Sequence, residues 1–199
     1  MSRRIQITTF AIAGLLALAP AFAQNQGQGS MQHQNSGQLD HQDHKFVMEA
    51  AQGGMMEVEL GRLASQKASN PEVKAFAQRM VTDHGKANDQ LKQVASQTGV
   101  SLPTMLPRDM RNEMDQMSRA SGAEFDRLYM SHMVKDHRKD VSEFEKEAEK
   151  GKDQAVRSFA QQTLPTLREH LTMAQDIASK VGANVGEDHS HHGSGKSGS

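Results

Sequence analysis

The chain has 199 residues, with 23 Lys and Arg against 24 Asp and Glu, ten His and no cysteine, for a formal charge of -1. That balance excludes the basic surface a nucleic-acid binder needs. The missing thiols exclude disulfides and the lipidated cysteine of a bacterial lipoprotein.

The chain opens on a segment that reads as a signal peptide over 1–23. Arg3 and Arg4 form a basic start, Ile5 to Leu18 is apolar, and Ala21-Phe22-Ala23 supplies small residues at a cleavage site. The mature product would begin at Gln24, be periplasmic or extracellular, and carry a charge of -3 once both arginines are gone. It contains no further apolar stretch long enough to span a bilayer. Residues 24–43 are Gln, Asn, Gly, Ser and His with too little apolar surface to offset the entropy of ordering, and read as a disordered leader.

Four amphipathic helices then follow over approximately 44–69, 71–98, 122–150 and 153–181. Their inward seams run at alternating spacings of three and four: Val47, Ala50, Gly54, Glu57, Gly61, Ala64 and Ala68 in the first, and Val73, Ala77, Met80, His84, Ala87, Leu91, Val94 and Thr98 in the second. The third carries Met130, Met133, His137, Asp140 or Val141, Phe144 and Ala148. The fourth carries Val156, Ala160, Thr163, Leu167, His170, Ala174, Ile177 and Val181. Asn70-Pro71 opens helix two and Gly99 closes it, while Gly151 ends helix three and Asp153 caps helix four. Pro165, inside helix four, removes a backbone donor one turn before His170 and is read either as a functional kink or as a tolerated proline. The tail over 182–199, with His189, His191 and His192, reads as disordered.

The joints within each helix pair are short and force two antiparallel hairpins. The connection over 99–121 is long enough to run the height of a bundle, and Leu106, Met110, Met114 and Met117 place a short amphipathic helix within it. The expected fold is all-α, a ferritin-like four-helix bundle with one long crossover between helices two and three. Val73-Lys74-Ala75-Phe76-Ala77-Gln78 is echoed by Val156-Arg157-Ser158-Phe159-Ala160-Gln161, as hairpin duplication would produce.

Each apolar seam is interrupted by one metal-competent side chain: Glu57, His84, His137 and His170. At about 1.5 Å per residue, Glu57 and His84 lie at nearly the same height above their joint, whereas His137 and His170 differ by about 5 Å. Asp140, one turn beyond His137, falls where a further ligand would be needed. Imidazole and carboxylate in one buried layer suit iron, copper, zinc or manganese. Asp83, Asp136 and Glu169, each preceding a histidine, point elsewhere on the helix and read as partners of the ligands. The same residues also read as a buried polar layer that fixes helix register in a structural module meeting an envelope partner.

A di-iron ferritin site needs Glu-x-x-His on two helices, and Val81 and Leu167 stand where its glutamates would be. Met55, Met56, Met80, Met130, Met133 and Met173 would suit copper but also serve as gap-filling core. His33, His41, His44 and the tail histidines read as weak ligands or polar filler. Gly53, Gly54 and Gly61 are expected to allow close helix approach. No nucleophile paired with a base, phosphate-cradling loop or oxyanion motif is present, so nothing requires an enzyme. A metal-dependent oxidase or peroxidase would need an open coordination position.

Several runs carry a resemblance to a known family: Gly54-Met55-Met56-Glu57-Val58-Glu59-Leu60-Gly61, Ala68-Ser69-Asn70-Pro71-Glu72-Val73-Lys74, Asp83-His84, Phe125-Asp126, Tyr129-Met130, Asp136-His137, and Thr163-Leu164-Pro165 with His170. At these residues the chain resembles a large bacterial family of exported proteins with a domain-of-unknown-function label, forty-one forty-two. The resemblance covers about 44–181 and implies export and a ferritin-like fold without a settled activity. The family's description as outer-membrane proteins is at odds with a chain showing no barrel-like strands.

Overall fold

The computed structural model describes residues 39–186, which form five helices and, among the described residues, no strand. They are α1 (His41–Lys67), α2 (Pro71–Thr98), α3 (Arg108–Arg119), α4 (Gly122–Lys150) and α5 (Gln154–Val181). The expected signal peptide, most of the leader, and the tail from 187 onward lie outside the described residues, as do His33, His189, His191 and His192.

α1 starts three residues before the expected position because Asp40, assigned to the leader, is its N-cap and accepts from Gln42 N at 3.0 Å. His41 and His44 are therefore helical, and both are exposed. Asn70 and Asp153 cap α2 and α5 as expected, each accepting from two backbone N–H groups. Gly99 and Gly182 close the same two helices in the left-handed region, with φ of 70° and 68°. α5 is continuous through Pro165, whose side is exposed.

α1 pairs with α2 and α4 with α5; α2 packs on α5 and α1 on α4, while α3 lies in the crossover against α1 and α4. Within the crossover, Met117 is buried and Leu106, Met110 and Met114 pack on the core. This is the expected arrangement of two hairpins and a crossover.

The duplication extends far beyond the six-residue echo. With an offset of 83 residues, from Pro71 to Gln154, the ends of α2 and α5 coincide, as do the ends of α1 and α4 at Lys67 and Lys150. The offset also relates the buried carboxylates Asp43 and Asp126. Asp126, on α4, accepts from Ser69 N and Asn70 N at 3.0 and 2.9 Å and so clasps the α1–α2 joint. Asp43, on α1, accepts from Lys152 N and Asp153 N at 3.1 and 2.6 Å and clasps the α4–α5 joint. Each hairpin thus satisfies the otherwise unpaired backbone of the other's turn. Aromatic contacts obey the same relation: Phe46–Phe159 at 6.4 Å and Phe76–Tyr129 at 6.3 Å are equivalent pairs.

The apolar interior is divided in two. One cluster, around Leu60, Phe76, Met80 and Tyr129, surrounds the α1–α2 joint; the other, around Val47, Leu91, Phe144 and Phe159, lies toward the α4–α5 joint. A polar layer separates them. Two of the three glycines behave as expected in this packing. A Cβ on Gly61 would lie 2.9 Å from the Ala77 carbonyl oxygen, and one on Gly54 would lie 2.1 Å from Asn88 Oδ1, whereas Gly53 has nothing within 4 Å.

Candidate metal centre

All four interrupting side chains lie in the polar layer and are buried: Glu57 is 1 % exposed, His84 5 %, His137 0 % and His170 1 %. The three imidazoles form a nearly equilateral triangle, with ring centroids 5.5 Å apart for His84–His137, 5.3 Å for His84–His170 and 5.4 Å for His137–His170. One ring nitrogen of each lies within 4.8 Å of the others.

The 5 Å height difference expected between His137 and His170 does not keep them apart. Side chains lean toward the N-terminus of their own helix. α4 runs into the shared joint and α5 out of it, so His137 leans away from the joint while His170, starting farther out, leans back toward it. The two meet without Asp140 as an intermediary.

Each ring uses one nitrogen within the protein and leaves the other unpartnered. His137 Nδ1–H donates to the Met133 carbonyl at 2.9 Å, which can only accept, so Nε2 carries the lone pair. His170 Nε2–H donates to Asp83 Oδ2 at 2.9 Å, leaving Nδ1 free. His84 Nδ1 lies 2.7 Å from Glu57 Oε2, leaving Nε2 free. The freed atoms, His84 Nε2, His137 Nε2 and His170 Nδ1, are all buried with no hydrogen-bond partner, as is Glu57 Oε1. Holding one nitrogen by a carboxylate or carbonyl while the other faces a shared centre is how metal-binding imidazoles are oriented.

Burial keeps these rings neutral. It depresses His84 and His170 to about 4, in the latter case despite the opposing pull of Asp83, and holds His137 well below its ordinary value with help from the neighbouring rings. Burial would raise Asp83, but its bonds with His170 and Arg79 outweigh this and hold it below the ordinary carboxylate value. Arg79 Nε reaches Asp83 at 3.1 Å and Nη1 reaches Met173 Sδ at 3.0 Å, so Asp83 links the triad to a surface ion pair.

Asp140 is not among the histidines. It groups with Glu57 and Asp136, each offering a carboxylate oxygen within 4.8 Å of the others. Burial first, and then the like charge of Asp136, pushes Glu57 well up; burial, Glu57 and Asp136 do the same to Asp140. Asp83 answers the expectation that an acid beside a histidine serves as a ligand's partner, although its histidine is on another helix. Asp136 instead belongs to the acidic group, and Glu169 pairs with Arg79 at 2.5 Å. Met56, Met80, Met130 and Met133 are core residues, so the gap-filling reading holds for these four.

Sequence reasoning gave no structural role to the Met133 carbonyl, Asn88, or the clasps Asp43 and Asp126. The clasps were detectable, because Asp43 and Asp126 stand at the spacing of the hexapeptide echo. Tyr129, fully buried with its hydroxyl unpartnered, lies behind Phe76, which itself touches His137 and His170 at 6.4 and 6.5 Å. Among the described residues, no helix is long and apolar enough to cross a membrane.

The fold is shared with several solved structures at low identity. A DUF305 fragment from Deinococcus radiodurans superposes with a TM-score of 0.63 at 13 % identity, covering 72 % of this chain and 99 % of that one. CopM in its Cu(II)-bound form gives 0.56 at 15 %, covering 69 % and 96 %. A dodecameric thioferritin, the bacterioferritin-related protein of Bacteroides fragilis, gives 0.56 at 12 %, covering 73 % and 89 %. The all-α bundle is therefore ferritin-like. No curated protein matches the chain. The profile of a family described as Domain of unknown function (DUF4142) matches residues 28–177, which take in nearly the whole four-helix framework, and the chain belongs to that family.

Proposed function

We propose that this protein is an exported ferritin-like bundle that binds a transition metal ion through His84, His137 and His170, with Glu57 and Asp140 beside them, for storage, buffering or protection of the cell envelope. One observation carries the reading: three buried imidazoles from three helices each keep one ring nitrogen without a partner, and the rings offer nitrogens within 4.8 Å of one another. Leaving a polar atom buried and unpaired costs about 1–3 kcal/mol, and three in one place are accounted for by a ligand that accepts all three lone pairs. An all-imidazole set suits copper, zinc or iron better than a hard cation such as magnesium. The Cu(II)-bound state of CopM, a structural neighbour, supports this choice of chemistry. Export rests on Arg3, Arg4, the apolar run after them and Ala21-Phe22-Ala23.

Elemental analysis of the purified protein, alongside His84→Ala and His137→Ala, tests the reading. One equivalent of copper or zinc per chain in the wild type and loss of at least a hundredfold in affinity in both variants are expected. The variants retain the terminal histidines and so serve as controls for adventitious binding there. A wild type that takes up no metal, and melts identically with and without a chelator, would instead make the layer a device for helix register in a structural module.

A further inference from the structure

We infer that the carboxylates of Glu57, Asp136 and Asp140 form a second seat, for a hard divalent cation, directly beside the imidazole triad, so that the polar layer holds two unlike ions with Glu57 between them. This deepens the metal reading above and rests on it for the first ion.

The three carboxylates come from two helices. Asp136 and Asp140 are one turn apart on α4 and present neighbouring side chains, while Glu57 reaches them from α1. Glu57 belongs to both groups: one of its oxygens lies within 4.8 Å of ligand atoms of Asp136 and Asp140, and both touch histidines. Its Oε2 lies against His84 Nδ1 at 2.7 Å, and its Oε1, 3.4 Å from His137 Nε2, is buried and has no hydrogen-bond partner. That oxygen lies at the boundary of the two groups, and a carboxylate oxygen 99 % out of solvent requires a proton, a donor or a cation.

Three carboxylates with oxygens within 4.8 Å of one another gather acceptors at one place, an oxygen set that a hard cation completes. Lys139, whose charge acts on Glu57 and Asp140, pairs with Glu143 at 3.0 Å. Beside Glu57 and Asp140, though not lined by Asp136, lies a cavity of about 20 Å³ that His84 and Asn88 also line. This is room for about one water or a bare ion. Oxygen donors select hard cations, whereas the imidazoles select borderline ones, so the two seats differ in the ion they prefer.

The 83-residue relation shows how the pair of seats could arise. It makes Glu57 and Asp140 equivalents, one carboxylate from each hairpin, but opposite Asp136 and His137 it places Gly53 and Gly54. The side chains that separate a carboxylate seat from an imidazole seat are those that depart from the duplication.

The test uses the full chain loaded with one equivalent of Cu2+ and then titrated with Mn2+, following the free Mn2+ electron paramagnetic resonance signal and the Cu2+ signal together. The wild type is expected to bind one Mn2+ per chain and to lose Cu2+ signal intensity through coupling to the neighbouring ion. Asp136→Asn and Asp140→Asn, which preserve shape, should each weaken Mn2+ at least tenfold, and Asp136→Asn should do so while keeping the Cu2+. Failure of the loaded wild type to bind Mn2+, or Mn2+ binding unchanged in both variants, overturns the second seat. If Cu2+ is not retained but Mn2+ still binds in an Asp140-dependent way, the imidazole reading fails and the carboxylate seat stands. Circular dichroism of both variants confirms that they are folded.

Discussion

The two hairpins are built to one plan and differ where the chemistry lies. Their helices end at equivalent residues, their second helices open on Asn70 or Asp153 and close on a left-handed glycine, and each lends the other an aspartate to clasp its joint. At the polar layer the equivalence stops. His84 corresponds to Leu167, His170 to Ala87 and His137 to Gly54, so the first hairpin contributes one imidazole and the second contributes two. Features required for the bundle to close are repeated, whereas the candidate centre, which needs unlike ligands converging on one point, is not.

The clasps give the largest expected effect. Asp43→Ala and Asp126→Ala each leave two backbone N–H groups without their charged acceptor, and each should destabilise the fold by about 3 kcal/mol or more. Urea denaturation measures this; a large cost at one position and none at the other would break the equivalence of the two joints.

Acidity probes the layer that breaks the symmetry. His84 and His170 sit at about 4 in the folded protein, against about 6.5 when unfolded. As pH falls from about 6.5 to about 4, the unfolded chain takes up protons that the folded state refuses, and the metal-free protein loses up to about 3 kcal/mol for each ring. Glu57 and Asp140 act in the opposite sense, since their raised values give stability that is present below the unfolded carboxylate range and lost as pH rises. Between about pH 4 and 6.5 the two effects oppose; above about pH 6.5 the histidine contribution is complete and only the carboxyl loss remains, so thermal melts should fall as pH rises further. Glu57→Gln should flatten the alkaline arm and leave the acid arm in place.

A smaller effect separates equivalent positions on α2 and α5. Removing the acceptor of the His170 Nε2–H in Asp83→Ala should weaken metal binding by about 10–100-fold. Thr166→Ala, at the related site, should leave binding unchanged by isothermal titration calorimetry. The glycines of α1 close the series. Gly61→Ala forces a methyl against the Ala77 carbonyl and should cost about 1–3 kcal/mol, whereas Gly53→Ala meets nothing and should gain about 0.5–1 kcal/mol from helix propensity. A Gly61→Ala protein as stable as the wild type would mean that α1 and α2 can move apart without loss.

Much of the framework was legible beforehand. Period and capping chemistry are local, so the seam of Val73, Ala77 and Met80, the Asn70 cap and the Gly99 stop could be read directly from the chain, and the span of 99–121 implied the crossover. The start of α1 was missed because the polar stretch around His41 has no apolar period; the Asp40 cap and the distant bond from Asp43 to the α4–α5 joint hold it in the helix. Glu57, His84, His137 and His170 were found as exceptions within apolar seams, since a polar residue at such a position must be buried wherever the seam is.

The amino-acid sequence by itself determined the helices, their inward faces and which polar side chains must lie inside, because hydrophobic period, caps and breakers act within a few residues of where they occur. Only the tertiary structure decided which of those side chains meet. Side-chain lean on antiparallel helices brings His137 and His170 together across a turn of apparent mismatch, and moves Asp140 away from the imidazoles to Glu57 and Asp136. Convergence is a relation among three helices, and no single stretch of chain encodes it.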